Sequence, residues 1–168
     1  MEAVTEFFYV ESEKLTVELS LVDSKLIEIK IFEPGTPKRS PIANQLTGWT
    51  KDLSQELQEY LAGTRKTFSA FPLDLPQSAF FKKVYESLMA TSPGQTLTYQ
   101  ELAKKAGNSL AARAVGSAMR RNKYPLLIPC HRVLPAHGKT IGQYSAGGGE
   151  ASKMYLLTLE KSLAACSK

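Results

Sequence analysis

One cysteine lies in a setting that favours nucleophilic chemistry. Cys130 follows an apolar run over residues 126–128 and Pro129, and it precedes His131 and Arg132. Because proline fixes the local backbone, we expect the thiol at a rigid turn where the apolar segment meets the surface. Positive neighbours stabilise a thiolate, and an imidazole can accept the thiol proton directly or through a water. The alternative is a small buried side chain without chemistry, the usual role of an isolated cysteine.

The remaining cysteine and histidine do not suggest a metal site or a disulfide. The chain has two cysteines, Cys130 and Cys166, and two histidines, His131 and His137. It contains no Cys-x-x-Cys pair, and the adjacent Cys130 and His131 are poorly placed to close a zinc cage. We therefore predict no metal, no cofactor and no structural disulfide, with Cys166 an inert thiol.

Charge is distributed unevenly along the 168 residues. Residues 1–80 carry 8 Lys/Arg and 12 Asp/Glu, whereas residues 81–168 carry 13 Lys/Arg and 4 Asp/Glu. A basic half suggests contact with a polyanion, although a solvated basic surface is equally compatible with the charge alone. The composition is globular, with 43% hydrophobic residues and no long apolar run. The acidic N-terminus does not resemble a signal peptide, so we expect an intracellular protein without membrane contact.

The first 75 residues predict a small antiparallel sheet and one helix. Alternating polarity and β-branched or aromatic residues indicate three strands, over residues 6–10, 15–21 and 26–32. A loop rich in Pro, Gly and Lys covers 33–41, and a helix over 52–62 ends at Gly63. Two prolines within 71–77 indicate a linker.

The second half predicts mainly helices. An apolar stripe indicates a helix over 78–90, and a glycine-rich loop at 142–149 precedes a last helix over 150–163. Between them, Thr98 and Glu101 form the Ser/Thr-x-x-Glu pattern of a capping box, which predicts a helix over 99–106. A Gly-Asn break and a second helix over 110–121 complete a helix-turn-helix candidate.

The second helix of this pair has a composition suited to DNA. Small residues dominate it, and its basic residues are Arg113, Arg120 and Arg121. Arginines can hold phosphates while a face of small residues lies deep in a groove. Close packing against another helix is the alternative explanation of the same composition.

The segment from Pro129 to Val133 resembles the active-site signature of the O6-alkylguanine-DNA alkyltransferases. The resemblance is strong over residues 78–163, with further matching segments in the family's order at 81–85, 93–99, 112–116, 122 and 142–145. It implies a small α/β domain at 1–75 with an antiparallel, ribonuclease H-like fold. A mostly helical, winged-helix-like domain with the helix-turn-helix would occupy 76–168.

The resemblance also implies an activity, direct-reversal DNA repair. An alkyl group, typically methyl, would pass irreversibly from O6-alkylguanine in double-stranded DNA to Cys130, once per molecule. Minor-groove binding and base flipping would deliver the base, because a thiol cannot reach O6 inside a duplex. Activity on O4-alkylthymine stays open. We expect a monomer, in the cytoplasm of a bacterium or the nucleus of a eukaryote, and cooperative assembly on DNA stays open.

The resemblance assigns roles to individual residues. Cys130 would attack the alkyl carbon, His131 would accept its proton through a water, and Glu160 would orient His131. Tyr99 would donate to guanine N3, and Asn122 would brace the turn that carries Cys130. Groups that would hold the base belong to Val133, Ser145, Tyr144 and Pro125, with a carbonyl of Cys130. Groups that would bind DNA belong to Arg113, which would fill the gap left by the flipped base, and to Ala112, Ala114, Gly116, Arg120, Tyr99 and Thr98.

Ordinary packing, capping or surface charge is the alternative for Tyr99, Ser145 and Glu160. Two departures from the family pattern carry expectations of their own. Lys123 replaces a frequent proline, which is expected to loosen its turn, and Ala146 replaces a glycine, which is expected to restrict bulky alkyl groups. Three rival functions remain: a non-enzymatic binder of alkylated DNA, a helix-turn-helix transcription regulator, and a thiol hydrolase that would turn over.

Overall fold

The computed structural model describes residues 4–40, 46–136 and 140–165. The N-terminal part contains three strands and a helix, namely β1 (Thr5–Glu11), β2 (Thr16–Val22), β3 (Lys25–Phe32) and α1 (Trp49–Leu61). The C-terminal part contains α2 (Ala79–Met89), β4 (Leu97–Thr98), α3 (Tyr99–Lys105), α4 (Ala112–Arg120), β5 (Val133–Leu134) and α5 (Gly149–Ala165). A single 3₁₀ turn, Cys130–Arg132, precedes β5.

The three N-terminal strands form an antiparallel meander in the order β1-β2-β3. Their ends agree with the predicted strands to within one residue. Helix α1 begins at Trp49, three residues before the predicted start, and its first turn has no side-chain cap that could mark it in the sequence. The linker predicted at 71–77 contains no helix or strand.

Strand β3 is an edge strand, and backbone groups of the C-terminal part cover its open side. The amide of Ile29 donates to the carbonyl of Lys123 over 2.7 Å, and the amide of Ile31 donates to the carbonyl of Ala146 over 2.9 Å. An exposed edge would otherwise present unpaired donors and acceptors. Apolar residues of both parts also form one hydrophobic cluster. The sheet therefore supports the two loops, around 123 and 146, that flank the candidate site.

The helix-turn-helix candidate consists of α3 and α4. Its capping box is present: Thr98 Oγ1 accepts from the amide of Glu101 over 3.1 Å, and the Glu101 carboxylate accepts from the amide of Thr98 over 2.7 Å. Helix α4 begins at Ala112, two residues later than predicted, because the Asn108 side chain accepts from the amide of Leu110 and holds residues 108–111 in a turn.

A short parallel pairing joins the start of α3 to the strand that follows the cysteine. Leu97 pairs with Val133 and Thr98 with Leu134. Two residues are too few to form a periodic pattern, so these strands could not be predicted from the sequence. The last helix, α5, has 17 residues. Within the segments that the structure describes, no helix has both the length and the apolar character needed to cross a membrane.

Replacing Gly147 with alanine tests how the 142–149 loop is attached to the sheet. Gly147 has a φ of +98°, and a Cβ built there would overlap the Ile31 carbonyl. We expect Gly147→Ala to lower the free energy of unfolding by about 2–3 kcal/mol in urea denaturation. Gly107→Ala is the control, since Gly107 also has a positive φ, +93°, but nothing lies within 4 Å of its Cβ position. It should cost only about 1 kcal/mol, and equal losses would contradict close contact at Ile31.

Candidate active site

The thiol of Cys130 is buried, which corrects the expectation that it lies where an apolar segment meets the surface. Only 5% of the residue is exposed. The local pattern showed where the apolar run ends, but later segments of the chain cover the turn. Burial raises the pKa of the Cys130 thiol, while a hydrogen bond from Asn122 and the charge of Lys153 act in the opposite direction. The resting thiol is therefore neutral.

Asn122 braces the turn that carries the cysteine. Its side-chain amide donates to the carbonyl of Ile128 over 2.8 Å, and its side-chain oxygen accepts from the amide of Tyr124 over 2.9 Å. Between these contacts Leu126 has a φ of +75°, a left-handed conformation that is strained for a branched side chain. The Asn122 contacts hold the chain in this shape, and the amide of Cys130 then donates to Ile128 over 2.7 Å.

Behind the cysteine, Glu160 of α5 is the centre of a buried polar network. His131 Nε2 lies 2.9 Å from Glu160 Oε1, and the Arg132 guanidinium donates to both carboxylate oxygens, at 2.7 Å to Oε1 and 2.9 Å to Oε2. The Tyr60 hydroxyl donates to Oε1 over 2.8 Å, and the amide of Gly94 donates to Oε2 over 3.2 Å. Burial by itself would raise the pKa of Glu160, but the hydrogen bonds from His131 and Arg132 outweigh it and hold the pKa well below its usual range.

The ring of His131 is held in one tautomer by this network. An ionised Glu160 accepts only, so Nε2 carries the proton and Nδ1 carries the lone pair. Burial lowers the pKa of His131, although Glu160 raises it in part. Nδ1 is buried, and no hydrogen-bond partner for it exists within the described part of the chain. A neutral ring with a free lone pair can accept a proton.

Arg132 does not stabilise a thiolate as we expected from its position next to the cysteine. Its guanidinium donates hydrogen bonds to Glu160 and to Thr91. The Thr91 carbonyl and hydroxyl lie 2.5 and 2.8 Å from Nη1. Because burial keeps His131 neutral as well, neither neighbour of Cys130 supplies the positive charge. The sequence interpretation was wrong here because adjacent side chains in a tight turn point in different directions.

Lys153 supplies that charge instead, and the sequence analysis did not identify it. The residue is 1% exposed, its Nζ donates to the carbonyl of Val133 over 2.8 Å, and its charge lowers the pKa of Cys130. Burial in turn lowers the pKa of Lys153. A signal did exist, because Lys153 and Glu160 are seven residues apart and share a helix face with Leu156.

Several predicted substrate and DNA residues line one cavity of about 1010 Å³ beside α4. They are Tyr99, Arg113, Gly116, Arg120, Tyr144 and Ser145. Burial raises the pKa of the Tyr99 hydroxyl, and Cys130 raises it further, so Tyr99 is protonated and lies within electrostatic reach of the thiol. The buried hydroxyl of Tyr144 is also influenced by Cys130, and no partner for it exists among the described residues.

The other predicted residues have more varied positions. Arg113 is exposed on α4 between the half-buried Ala112 and Ala114, and the Thr98 hydroxyl is used as the cap of α3. The Ser145 hydroxyl donates to the carbonyl of Met119 over 3.2 Å. Buried residues that do not line the cavity are Pro125, Val133 and Ala146, and the Ala146 methyl packs in the hydrophobic cluster.

Metal-binding groups are not clustered at the site. Within residues 4–40, 46–136 and 140–165, no three His, Cys, Asp or Glu residues are grouped so that they could hold a metal ion. His137 and Cys166 lie outside the described residues. The described site is thus built from a thiol, an imidazole–carboxylate pair, a buried lysine and a phenol next to a helix pair.

A buried thiol with an adjacent imidazole–carboxylate pair beside a helix-turn-helix indicates a cysteine acceptor on a helix-turn-helix scaffold, and comparisons with known proteins agree. The family model described as the DNA-binding domain of 6-O-methylguanine DNA methyltransferase matches residues 79–162. A mouse methylated-DNA–protein-cysteine methyltransferase (Mus musculus) is 52% identical over 161 residues, covering 86% of this chain and 75% of the relative. The chain belongs to this family.

Other relatives and solved structures extend the similarity. Enzymes of the same name from Cricetulus griseus and Bacillus subtilis are 40% and 39% identical, over 74% and 66% of this chain, and the chain spans 65% of the length of each. The Mycobacterium tuberculosis O6-methylguanine methyltransferase superposes with a TM-score of 0.69 at 29% identity, covering 95% of this chain and 94% of that one. The structure of M. tuberculosis OGT in complex with DNA superposes with a TM-score of 0.74 at 30% identity, covering 94% of each chain.

Removing the charge of Lys153 should make the thiol harder to ionise. In Lys153→Met we expect the pH midpoint of Cys130 alkylation by iodoacetamide to move upward, because the thiolate loses its facing cation. Lys161→Met is the matched control, since it removes the same charge from an exposed position of α5. The midpoints are measured from alkylation rates over an alkaline range that extends above pH 10, on the folded proteins. A midpoint that stays unchanged in Lys153→Met, or moves equally in both variants, would contradict the role of Lys153.

Proposed function

We propose that this protein repairs DNA by direct reversal, transferring an alkyl group from O6 of guanine in double-stranded DNA to Cys130. The observation that carries the proposal is the buried thiol with a hydrogen-bonded His131–Glu160 pair behind it and an open cavity beside α4. The names of the relatives, methylated-DNA–protein-cysteine methyltransferases, support the same reaction class. The DNA complex of the M. tuberculosis protein supports DNA as the partner.

The chemistry uses an in-line displacement. His131 Nδ1 accepts the thiol proton, through a water, and Glu160 stabilises the imidazolium through its bond to Nε2. The Sγ of Cys130 then forms a bond to the alkyl carbon as the bond from that carbon to O6 breaks. The electron pair of the broken bond stays with guanine, and Tyr99 donates a proton to N3 of the leaving base. Solvent in the open cavity then returns a proton to the Tyr99 phenolate, and His131 releases the thiol proton to solvent. Lys153 lowers the cost of the thiolate before the displacement.

The raised pKa of the resting thiol gives this sequence of steps a physical reason. A buried neutral thiol reacts slowly with electrophiles, because the thiolate is the nucleophile. Proton removal through His131 generates the thiolate inside the site. Reaction is therefore tied to arrival of the damaged base in the cavity, where Tyr99 is already protonated.

Delivery of the base requires α4. The O6 alkyl group of a stacked base is out of reach of a buried thiol, so the nucleotide must leave the helix. Arg113 is exposed at the first turn of α4 and lines the cavity, a position from which it fills the gap in the base stack. A Cβ built on Gly116 would lie 4.0 Å from the Tyr99 ring, an ordinary van der Waals distance, so α4 runs alongside the cavity wall that Tyr99 forms. Small residues on this helix suit the minor groove.

The reaction ends after one transfer. A thioether is stable to water, so the alkylated Cys130 does not return to the free thiol. The protein therefore acts as a stoichiometric reagent. A thiol hydrolase with the same residues would continue to turn over.

We also infer the finer architecture from the same features. The meander with α1 supports a ribonuclease H-like domain at 1–75, and the α3–α4 pair with β4 and β5 supports a winged-helix-like domain from residue 76. The substrate requires a location with access to DNA, which is the cytoplasm of a bacterium or the nucleus of a eukaryote.

The mass of the intact protein tests the transfer directly. After incubation with duplex DNA containing O6-methylguanine, we expect one increase of about 14 Da, located on Cys130 by peptide mapping, because a methyl group replaces the thiol hydrogen. Product formation should reach a plateau at one methyl group per protein. The Cys130→Ala variant should still bind the DNA but gain no mass. Absence of the adduct in the wild type, or continued turnover, would refute the proposal.

Arg113 can be tested separately from the chemistry. Arg113→Ala should slow transfer from duplex O6-methylguanine about a hundredfold, since extruding a base costs a few kcal/mol. Transfer from free O6-benzylguanine, which needs no extrusion, should stay within about twofold.

Arg120→Ala removes one exposed charge from the same helix and serves as the control. Its loss should be small and should disappear at low salt, where electrostatic contacts are strongest. The defect of Arg113→Ala should persist at low salt. Equal losses of Arg113→Ala on duplex and free base would argue against insertion of Arg113 into the stack.

A further inference from the structure

We propose that Tyr60, in the N-terminal part of the chain, is a positioning residue that sets how readily His131 accepts the thiol proton. Its hydroxyl donates to Glu160 Oε1 over 2.8 Å, the same oxygen that lies 2.9 Å from His131 Nε2. The inference rests on the proposed function to the extent that His131 serves Cys130. Neither the sequence pattern nor the family resemblance pointed to this tyrosine.

The contact is shielded from solvent and held in place by packing. Tyr60 is 1% exposed and Glu160 is 0% exposed, so bulk water does not screen the hydrogen bond. The Tyr60 ring packs on Phe68 with a centroid distance of 5.0 Å, and Leu57 lies on the same buried face of α1. The hydroxyl is therefore held on the carboxylate by packing of the Tyr60 ring within the hydrophobic cluster that both parts of the chain share.

Three residues share one carboxylate oxygen in this arrangement. Oε1 accepts from Tyr60, from His131, and from Arg132 through Nη2 over 2.7 Å and Nε over 3.2 Å. Oε2 accepts from Arg132 Nε and from the Gly94 amide. Each added donor withdraws negative charge from Oε1 and weakens its pull on the imidazole proton. Tyr60 thus limits the stabilisation of the His131 imidazolium by Glu160.

This limit matters because His131 must be unprotonated before it can act as a general base. A Glu160 carboxylate without the Tyr60 hydroxyl would favour the protonated imidazole more strongly. A larger fraction of His131 would then already be protonated at neutral pH and could not accept the Cys130 proton. Tyr60 and burial act in the same direction, since burial also lowers the pKa of His131.

The other ionisable groups around His131 and Glu160 remain in place when Tyr60 changes. The charges of Arg132 and Lys153 disfavour protonation of His131. Burial raises the pKa of Tyr144, and Cys130 and Glu160 raise it further. The groups that face the pair are Cys130, Arg132 and Lys153, with the tyrosines Tyr60 and Tyr144. Among these groups of the described residues, Tyr60 alone lies in the first 75 residues.

The test replaces Tyr60 with phenylalanine in the full chain, which removes the hydroxyl and keeps the ring. Tyr155→Phe is the matched control, because the Tyr155 hydroxyl also joins the two parts of the chain, donating to the Leu61 carbonyl over 3.5 Å, but does not touch Glu160. The pKa of His131 is measured by NMR of the imidazole protons. The chain has two histidines, so His137→Gln identifies the signal of His131 by elimination.

In Tyr60→Phe the titration midpoint of His131 should move upward. Single-turnover transfer from duplex O6-methylguanine should be about threefold slower on the acid side of its pH profile and equal to wild type on the alkaline side. Tyr155→Phe should change neither quantity. A His131 midpoint that is unchanged or lower in Tyr60→Phe, or that rises equally in Tyr155→Phe, overturns the proposal.

A second variant keeps the test valid if Tyr60→Phe does not fold. Incorporation of 3-fluorotyrosine at position 60 preserves the ring and makes the hydroxyl a stronger donor, so the His131 midpoint should move downward. An unchanged or higher midpoint would again overturn the proposal. The NMR midpoint does not depend on alkyl transfer, so failure of the Tyr60 proposal is distinguishable from failure of the repair function, which appears as a missing adduct in the wild type.

Discussion

A single buried carboxylate connects the parts of this protein. A charge at the fully buried Glu160 is stable only if hydrogen-bond donors surround it, and removing one partner of such a group typically costs about 3–5 kcal/mol. The donors come from α1, from the turn before β4, and from the two residues after the cysteine. The position of the thiol, the orientation of the imidazole and the attachment of the N-terminal part therefore depend on one ion. The N-terminal part is a structural element of the active site.

Burial of the thiol affects two requirements in opposite ways, because it slows the reaction of the thiol and protects it from other electrophiles. A solvent-exposed thiolate would react faster, but a thiol that can be used only once would be lost to any small electrophile. The structure favours protection, because burial raises the pKa of Cys130. It also keeps the means of ionisation close by, with Lys153 for the charge and His131 Nδ1 for the proton. Low resting reactivity with an internal proton path suits an acceptor that must wait for its substrate.

The sequence predicted local features well and long-range ones only through the family resemblance. Alternating polarity located β1 to β3, and the Thr98–Glu101 pattern located the start of α3, because both depend on neighbours a few residues apart. The Tyr60–Glu160 contact joins residues 100 positions apart, and no local pattern encodes it. Exposure of Cys130 was predicted wrongly for the same reason, since α5 and the loop before it are distant in sequence. Lys153 was missed because a lysine on an amphipathic helix is normally assigned to solvent.

The edge of β3 explains why two departures from the family pattern leave the site intact. Ile29 and Ile31 bind the carbonyl groups of residues 123 and 146, and lysine, proline, alanine and glycine all offer the same carbonyl. The Asn122 side chain bonds to Tyr124 and Ile128, which hold the turn after Lys123 without a proline ring. The Ala146 methyl packs into the hydrophobic cluster, and its effect on bulky alkyl groups stays a prediction. Backbone contacts of this kind fix the loops around the thiol while leaving their side chains free to vary.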